Sequence, residues 1–314
     1  MSHNKPVLQI SNLSVTFRNK NEVMRALHDF SCSLYAGECT AVIGESGCGK
    51  SVAAHAILKL FSDSTEITGS IRFDSQELIT CSESRLKEIR GKRIGIIYQN
   101  PDRSLNPIYT IERQMKEPLQ SHNISIPGAM RDHILKTLKR VGFPEPDQAM
   151  MQYPCQNSGG MNQRAATAVV LGLMPEVIIA DEPTKGLDKE RLVDIESCLM
   201  GIKVQNQSLL LITHDIPLAE RIADTLIVMY AGQIVEAGPA DEVLSSPLHP
   251  YTKGLLKSLP RNGFIPIEGS APPLSSLPPG CRFANRCDCV TEVCTHQCPE
   301  ITLTDTREVR CHLC

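Results

Sequence analysis

The sequence predicts an α/β protein with a parallel core, and two observations carry that prediction. Apolar runs of strand length alternate with stretches of helical spacing, on both sides of a more helical interval. Between one buried-type strand and the helix after it lies a glycine-rich segment, GESGCGKS, from Gly44 to Ser51.

The elements follow in order. VLQI and LSVTF read as strands, and polar NKNE separates them from ALHDFSCSL. CTAVIG, Cys39 to Gly44, is a buried-type strand that enters the glycine-rich turn, and SVAAHAILKLF then has helical spacing. GSIRF and RIGIIYQ are further strands. From about residue 101 to 164 the character changes, with EPLQSH and MRDHILKTLKRVGF as amphipathic helices of an insert. Alternation then returns through strand EVIIAD, helix KERLVDIESCLMGI, strand SLLLITHD, helix LAERIAD and strands TLIVMY and QIVEAG. Residues 261–280 are rich in Pro, Ser and Gly and read as an extended strap.

Composition narrows the class. A net charge of −3 over 314 residues gives no general attraction to nucleic acid. No stretch of about 18 uncharged apolar residues occurs; the richest, Ala165 to Ala180, contains Pro175 and Glu176. The start, MSHNKPVLQI, lacks the apolar core of a signal peptide. A cytosolic protein is expected, with any membrane link made through partners. Seven of the 13 cysteines fall after residue 280: Cys281, Cys287, Cys289, Cys294, Cys298, Cys311 and Cys314. In a reducing compartment such a cluster suggests metal more than disulfides. The basic run RLKEIRGKR, Arg85 to Arg93, reads as a solvated face.

The chemistry concentrates in two segments. GESGCGKS fits G-x-x-x-x-G-K-[ST] in the strand-to-helix context that pattern requires. Its glycines let backbone N–H groups curl around phosphate oxygens, and the helix N-terminus adds positive potential. Lys50 is expected to reach β- and γ-phosphates and the Ser51 hydroxyl to ligate Mg²⁺. Gly44, Ser46, Gly47, Cys48, Gly49 and Val52 complete the expected contacts. Cys48, beside a helix N-terminus and a lysine, is expected to have a depressed thiol pKa and to react with thiol reagents unless ATP covers it. In VIIADEP, an apolar strand delivers two carboxylates: Asp181 to hold Mg²⁺ and Glu182 to polarise the attacking water.

With these pieces the chain resembles the ATP-binding-cassette (ABC) ATPases. NSGGMNQR, Asn157 to Arg164, is similar to that family's signature, and Ser158, Gly159 and Gly160 would open a helix toward phosphate. The resemblance implies that this turn acts on the nucleotide held by a second subunit. It implies that Gln99 links Mg²⁺ and the water to the surface touched by the membrane partner. It assigns Asp188, in Gly186-Leu187-Asp188, to the nucleotide as well. His214 would contact the γ-phosphate and Phe17 would stack on adenine. The fold so implied is the P-loop ABC cassette, with an antiparallel β-subdomain, an inserted helical subdomain and a small Cys-rich C-terminal domain: residues 1–258 bind nucleotide and 259–314 form the tail domain.

PDRSLNPIYTI, MYAGQIVEAGP, HPYTKGLL and GCRFANRC are similar to the oligopeptide/dipeptide/nickel branch of importer ATPases. That branch implies a peripheral subunit on the cytoplasmic membrane face that hydrolyses ATP to power uptake. Its partners would be a second ATPase, generally a paralogue, two permeases and an extracytoplasmic binding protein. A short peptide is the implied cargo, with a nickel or metal chelate as the alternative. In peptide members, thiols matching Cys281, Cys287, Cys294 and Cys311 can hold an iron–sulfur cluster, for which soft anionic donors are suited. Zn²⁺ or free thiols remain open readings. Asn157 replaces the usual leucine, Cys155 stands in an unusual place, and Lys185-Gly186 replaces the usual Thr-Ala. These departures leave open a weakly active, regulatory ATP-binding subunit. A guanine reader, Asn-Lys-x-Asp, is absent. The interval from Ser51 to Asn157 is too short for the coiled coil of DNA-repair relatives.

Overall fold

The computed structural model describes residues 5–19, 22–62, 64–101, 104–126, 128–184 and 189–314. The chain divides into two compact units that interleave in sequence. One comprises Met1–Val7, Leu34–Glu38 and Thr80–Leu211; the other comprises Leu8–Ser33, Cys39–Ile79 and Ile212–Cys314.

The second unit opens with an antiparallel sheet. Strands β1 (Leu8–Asn19) and β2 (Glu22–Leu34) precede β3 (Cys39–Gly44) and helix α1 (Lys50–Ile57); β4 (Thr65–Phe73) and β5 (Gln76–Glu77) follow. The sheet order is β2-β1-β4-β5. Leu8 and Ile10, then Leu13 and Val15, are buried. An odd step between the two pairs would turn the second pair outward if the strand kept its period of two. The register shift between Ser11 and Ser14, with Asn12 at φ 50°, absorbs the extra residue and keeps all four inside.

The first unit carries α2 (Glu83–Ile89), β6 (Ile94–Ile97), α3 (Ile111–Ser121), α4 (Met130–Arg140), α5 (Pro146–Ala149), α6 (Gly159–Gly172), β7 (Val177–Asp181), α7 (Lys189–Val204) and β8 (Ser208–Ile212). Thr110 caps α3 by accepting from the Arg113 N–H at 3.3 Å. Ile111, Met115 and Leu119 of α3 and Ile134 and Leu138 of α4 are buried, at helical spacing. Arg164 of α6 donates to the Gly142 carbonyl at 2.6 Å. The helix runs on to Gly172, where Met174 at φ 54° and Pro175 stop it. Strands run in the order β8-β7-β6, and β6 pairs with β7 in parallel. The basic run proves to be ion-paired: Arg85 with Glu88, Arg90 with Glu83, and Arg93 with Glu176 at 2.6 Å.

The second unit resumes with α8 (Ile216–Ile222), β9 (Thr225–Tyr230), β10 (Gln233–Pro239), α9 (Ala240–Ser245), α10 (Pro250–Lys257), α11 (Glu292–His296), β11 (Thr302–Thr304) and β12 (Arg307–Val309). Its strands lie in the order β11-β12-β10-β9-β3. The hairpin β11–β12 adds to β10 with Glu236 opposite Val309. Among the described residues no helix is long and apolar enough to cross a membrane.

Candidate active site

Strand β3 is buried along its whole length and pairs in parallel with β9, Gly44 lying opposite Met229. Such a strand can only deliver its polar cargo past its C-terminal end. There the chain turns through Glu45–Gly49 into α1. Gly49 is the N-cap at φ 103°, and a Cβ on it would lie 2.5 Å from the Ala26 carbonyl oxygen, so only glycine fits. Gly47, at φ 80°, faces open space. No side chain caps α1. Lys50, 6% exposed, curls back so that Nζ donates to the carbonyls of Gly44 at 2.7 Å and Glu45 at 3.0 Å. Its remaining contact there is weak, Cys48 Sγ at 3.9 Å. Two carbonyls thus aim an ammonium donor at the loop, which is the donor set a phosphate requires. Ser46 is exposed, and Ser51 and Val52 are partly buried on the first turn.

The expectation of a reactive Cys48 is overturned. The thiol is 4% exposed, and burial raises its pKa; the opposing pull of the Lys50 charge is the smaller effect.

In the same unit Thr213 is fully buried and its N–H donates to the Val42 carbonyl at 3.1 Å. His214 follows it and is exposed. Asp215 caps α8 by accepting from the Leu218 N–H at 3.0 Å. Phe17 is half-buried and meets Phe61 edge-on, with ring centroids 5.3 Å apart.

The first unit presents the other groups. Ile97 of β6 lies opposite Ala180 of β7, so Tyr98 and Gln99 leave one strand beside the point where Asp181 and Glu182 end the other. Asp181 is 7% exposed, and burial together with its charge raises the pKa of Tyr98. Gln99 is exposed. Glu182 holds φ 51°, a left-handed conformation uncommon for a non-glycine residue. Ser158 caps α6 by accepting from the Met161 N–H at 3.4 Å, and nothing lies within 4 Å of where a Gly159 Cβ would stand; Gly160 is buried. Gln163 of α6, 3% exposed, donates to the Tyr98 carbonyl at 3.3 Å and so ties this helix to the chain entering Gln99. Asn157 has both side-chain polar atoms buried without a hydrogen-bond partner. Asp188, with Gly186 and Leu187, lies outside the described residues.

Among the described residues no cysteine forms a disulfide. Cys281, Cys287, Cys294 and Cys311 line one cavity, together with Cys289 and His312. Burial pushes the Cys281 thiol up to about 11, with Cys294 and Cys287 adding to it. Cys298 is engaged elsewhere, with Gln233 at 3.7 Å. Among the described residues no three His, Cys, Asp or Glu side chains converge closely enough to hold a single metal ion.

In one unit a glycine-rich loop with a guided lysine ends a buried strand; in the other, two consecutive carboxylates end a strand and a Ser-Gly-Gly turn starts a helix, and these are features of a P-loop ATPase of the cassette type. The chain belongs to the ABC transporter family, which matches residues 27–185, and residues 235–294 match the oligopeptide/dipeptide transporter C-terminal region. It is 40% identical to a dipeptide transport ATP-binding protein of Bacillus subtilis, over 98% of this chain and 94% of that one. It is 39% identical to a putative peptide import ATP-binding protein of Brucella abortus, with the same coverage. Among solved structures, a dimeric ATP-binding cassette bound to ADP and phosphate superposes with a TM-score of 0.66 at 25% identity, covering 74% of this chain and 98% of that one. A protein of Clostridium perfringens that is part of an ABC transporter complex gives 0.64 at 26% identity, covering 82% and 97%.

Proposed function

We propose that this chain hydrolyses ATP to ADP and phosphate to power an importer of di- and oligopeptides. The observation that carries the reading is the Lys50 cradle at the end of a buried strand, in a chain similar along its whole length to peptide-import ATP-binding proteins. Lys50 neutralises β- and γ-phosphate charge, and the loop amides hold the phosphate oxygens. Mg²⁺, when bound, spreads the developing charge; Ser51, Asp181 and Gln99 are the residues suited to hold it. Glu182 accepts the proton of the attacking water, and His214 donates toward the γ-phosphate. Phe17 stacks on adenine, and Asp188 adds a further contact. Ser158, Gly159 and Gly160 serve the nucleotide of a second ATPase, a paralogue rather than a copy. Two permeases and a binding protein complete the assembly, which places this subunit on the cytoplasmic membrane face.

The experiment is phosphate release by the chain reconstituted with its permeases and binding protein. Stimulation by short peptides supports the reading. Stimulation by a nickel chelate alone redirects it to metal uptake, and absence of turnover with retained Mg-ATP binding redirects it to a regulatory subunit.

We also assign Cys281, Cys287, Cys294 and Cys311 to an iron–sulfur cluster in the C-terminal domain, residues 259–314. Their common cavity supports this, and a cluster distributes its thiolates over several irons rather than gathering them on one ion. Iron and acid-labile sulfide should accompany anaerobically purified protein. Stoichiometric zinc in their place would move the assignment to Zn²⁺.

A further inference from the structure

Glu45 is the first variable residue of the phosphate loop, and it sets a carboxylate beside a site built for anions. A loose negative charge there would oppose a triphosphate. Nη1 of Arg286 donates to Glu45 Oε1 at 2.9 Å and to Oε2 at 3.0 Å, and the Arg286 side chain is 7% exposed. The same nitrogen reaches the Tyr230 hydroxyl at 3.1 Å. Nε donates to the Glu268 carbonyl at 2.9 Å and Nη2 to the Ile267 carbonyl at 3.4 Å. All three nitrogens are engaged, so the planar fork has one orientation. The Glu45 main chain is held as well: its N–H donates to the Tyr251 hydroxyl at 3.1 Å. Tyr230, Tyr251 and Phe283 pack mutually, with ring centroids 4.7 to 5.4 Å apart.

A second link runs from the same tail segment. Arg282 donates to the Ala231 carbonyl, and the next residue, Gly232, donates its N–H to the Cys48 carbonyl at 2.9 Å. Both arginines lie in the short stretch between Cys281 and Cys287.

We propose that Arg286 is a positioning residue for nucleotide binding: it pins the Glu45 carboxylate away from the phosphates, so the C-terminal tail sets the loop's affinity for Mg-ATP. The proposal rests on Gly44–Ser51 being the nucleotide cradle. A freed Glu45 would face the phosphate oxygens and would leave its Tyr251-anchored amide under a mobile side chain. Removing the charge from both partners takes away the repulsion and the need for the clamp.

The test measures Mg-ATP dissociation constants, and KM and kcat for phosphate release, on the full-length chain. Arg286→Gln should weaken Mg-ATP binding about tenfold through KM, with little change in kcat. Adding Glu45→Gln to that variant should restore affinity to within about twofold of wild type. A general loss of fold would not be rescued by a second substitution. If Arg286→Gln does not fold, Arg286→Lys carries the same comparison: it should weaken binding less, and Glu45→Gln should again remove the deficit. Unchanged affinity in the Arg286 variants, or a double variant as weak as the single one, overturns the proposal. Lys50→Ala run in parallel separates the two levels. If it binds Mg-ATP normally, the cradle reading itself fails; if it loses binding while the Arg286 variants do not, only the clamp fails.

Discussion

Nζ of Lys50 lies 2.7 Å from the carbonyl oxygen of Gly44, the residue that ends the buried strand β3. The strand therefore fixes the carbonyl, and the carbonyl fixes the ammonium. Substitution Lys50→Ala removes the charge and its hydrogen bond to the strand end but leaves the backbone pairing of β3 intact. We expect Mg-ATP affinity to fall by about tenfold or more while the thermal midpoint of the apo protein changes little. Equilibrium binding of a fluorescent nucleotide, read beside a melting curve, checks both halves. Retained affinity would show that the hollow at Gly47 is not the phosphate site.

The role proposed for Glu182 would separate binding from turnover. The residue's left-handed backbone, φ 51°, is an unfavourable conformation kept just after the end of β7. Glu182→Gln keeps size and shape but cannot take a proton. Phosphate release should drop by roughly a hundredfold or more, with Mg-ATP binding kept or tightened. Turnover like that of wild type would remove Glu182 from the reaction.

The sequence announces the parts of this site whose chemistry is local. Gly44, Gly49 and Lys50 belong to one eight-residue pattern, so the proposed phosphate cradle is legible from a short segment. Asp181 and Glu182 stand out because an apolar strand, VIIA, ends in two carboxylates downstream of that loop. Residues acting across long separations leave no such mark. Arg286 meets Glu45 from 241 positions away, and Tyr251 from 206. The strands β11 and β12 are three residues each; β12 pairs with β10 and β11 with β12, and segments this short carry no pattern that announces it. Cys48 misled because a helix start and a lysine are visible in the sequence, whereas the burial that dominates its thiol is not.

That burial gives a prediction about labelling. Cys155 is exposed and Cys48 is not. Under native conditions at neutral pH, maleimide should modify Cys155 well before Cys48, and peptide mapping by mass spectrometry should show Cys48 reacting only as the protein unfolds. Rapid native labelling of Cys48, blocked by Mg-ATP, would restore the expectation of an activated thiol.

Asn157 carries a cost without a visible return in the isolated chain. Its amide is buried with neither Nδ2 nor Oδ1 hydrogen-bonded, at the position before the Ser158 cap. Burying unpartnered polar atoms is unfavourable, and a leucine of similar volume has none. Asn157→Leu should raise unfolding free energy by about 1–2 kcal/mol, seen as a higher denaturant midpoint at unchanged slope. A destabilised variant would mean that the amide has a partner in solution.

Glu77 gives the fold a defined acid response. Its carboxylate accepts from the Ser70 hydroxyl at 2.5 Å and from the N–H groups of Ile71 at 3.0 Å and Ile79 at 3.1 Å, tying the end of β5 to β4. Burial alone would raise its pKa; the hydrogen bonds and Arg72 outweigh burial and lower it below the ordinary 4.5. The unfolded chain then takes up this proton at a higher pH than the folded one. Stability from the ionised group is thus fully present above about pH 4.5 and is lost as pH falls through the lower folded value. Glu77→Gln should cost about 1 kcal/mol at pH 7, where it replaces a charged acceptor with a neutral one. Because the glutamine does not titrate, the gap between variant and wild type should close on acidification below pH 4.5. Urea unfolding of both proteins across this range measures the gap directly, and a difference that stays constant with pH would show that the charge of Glu77 contributes nothing to the turn.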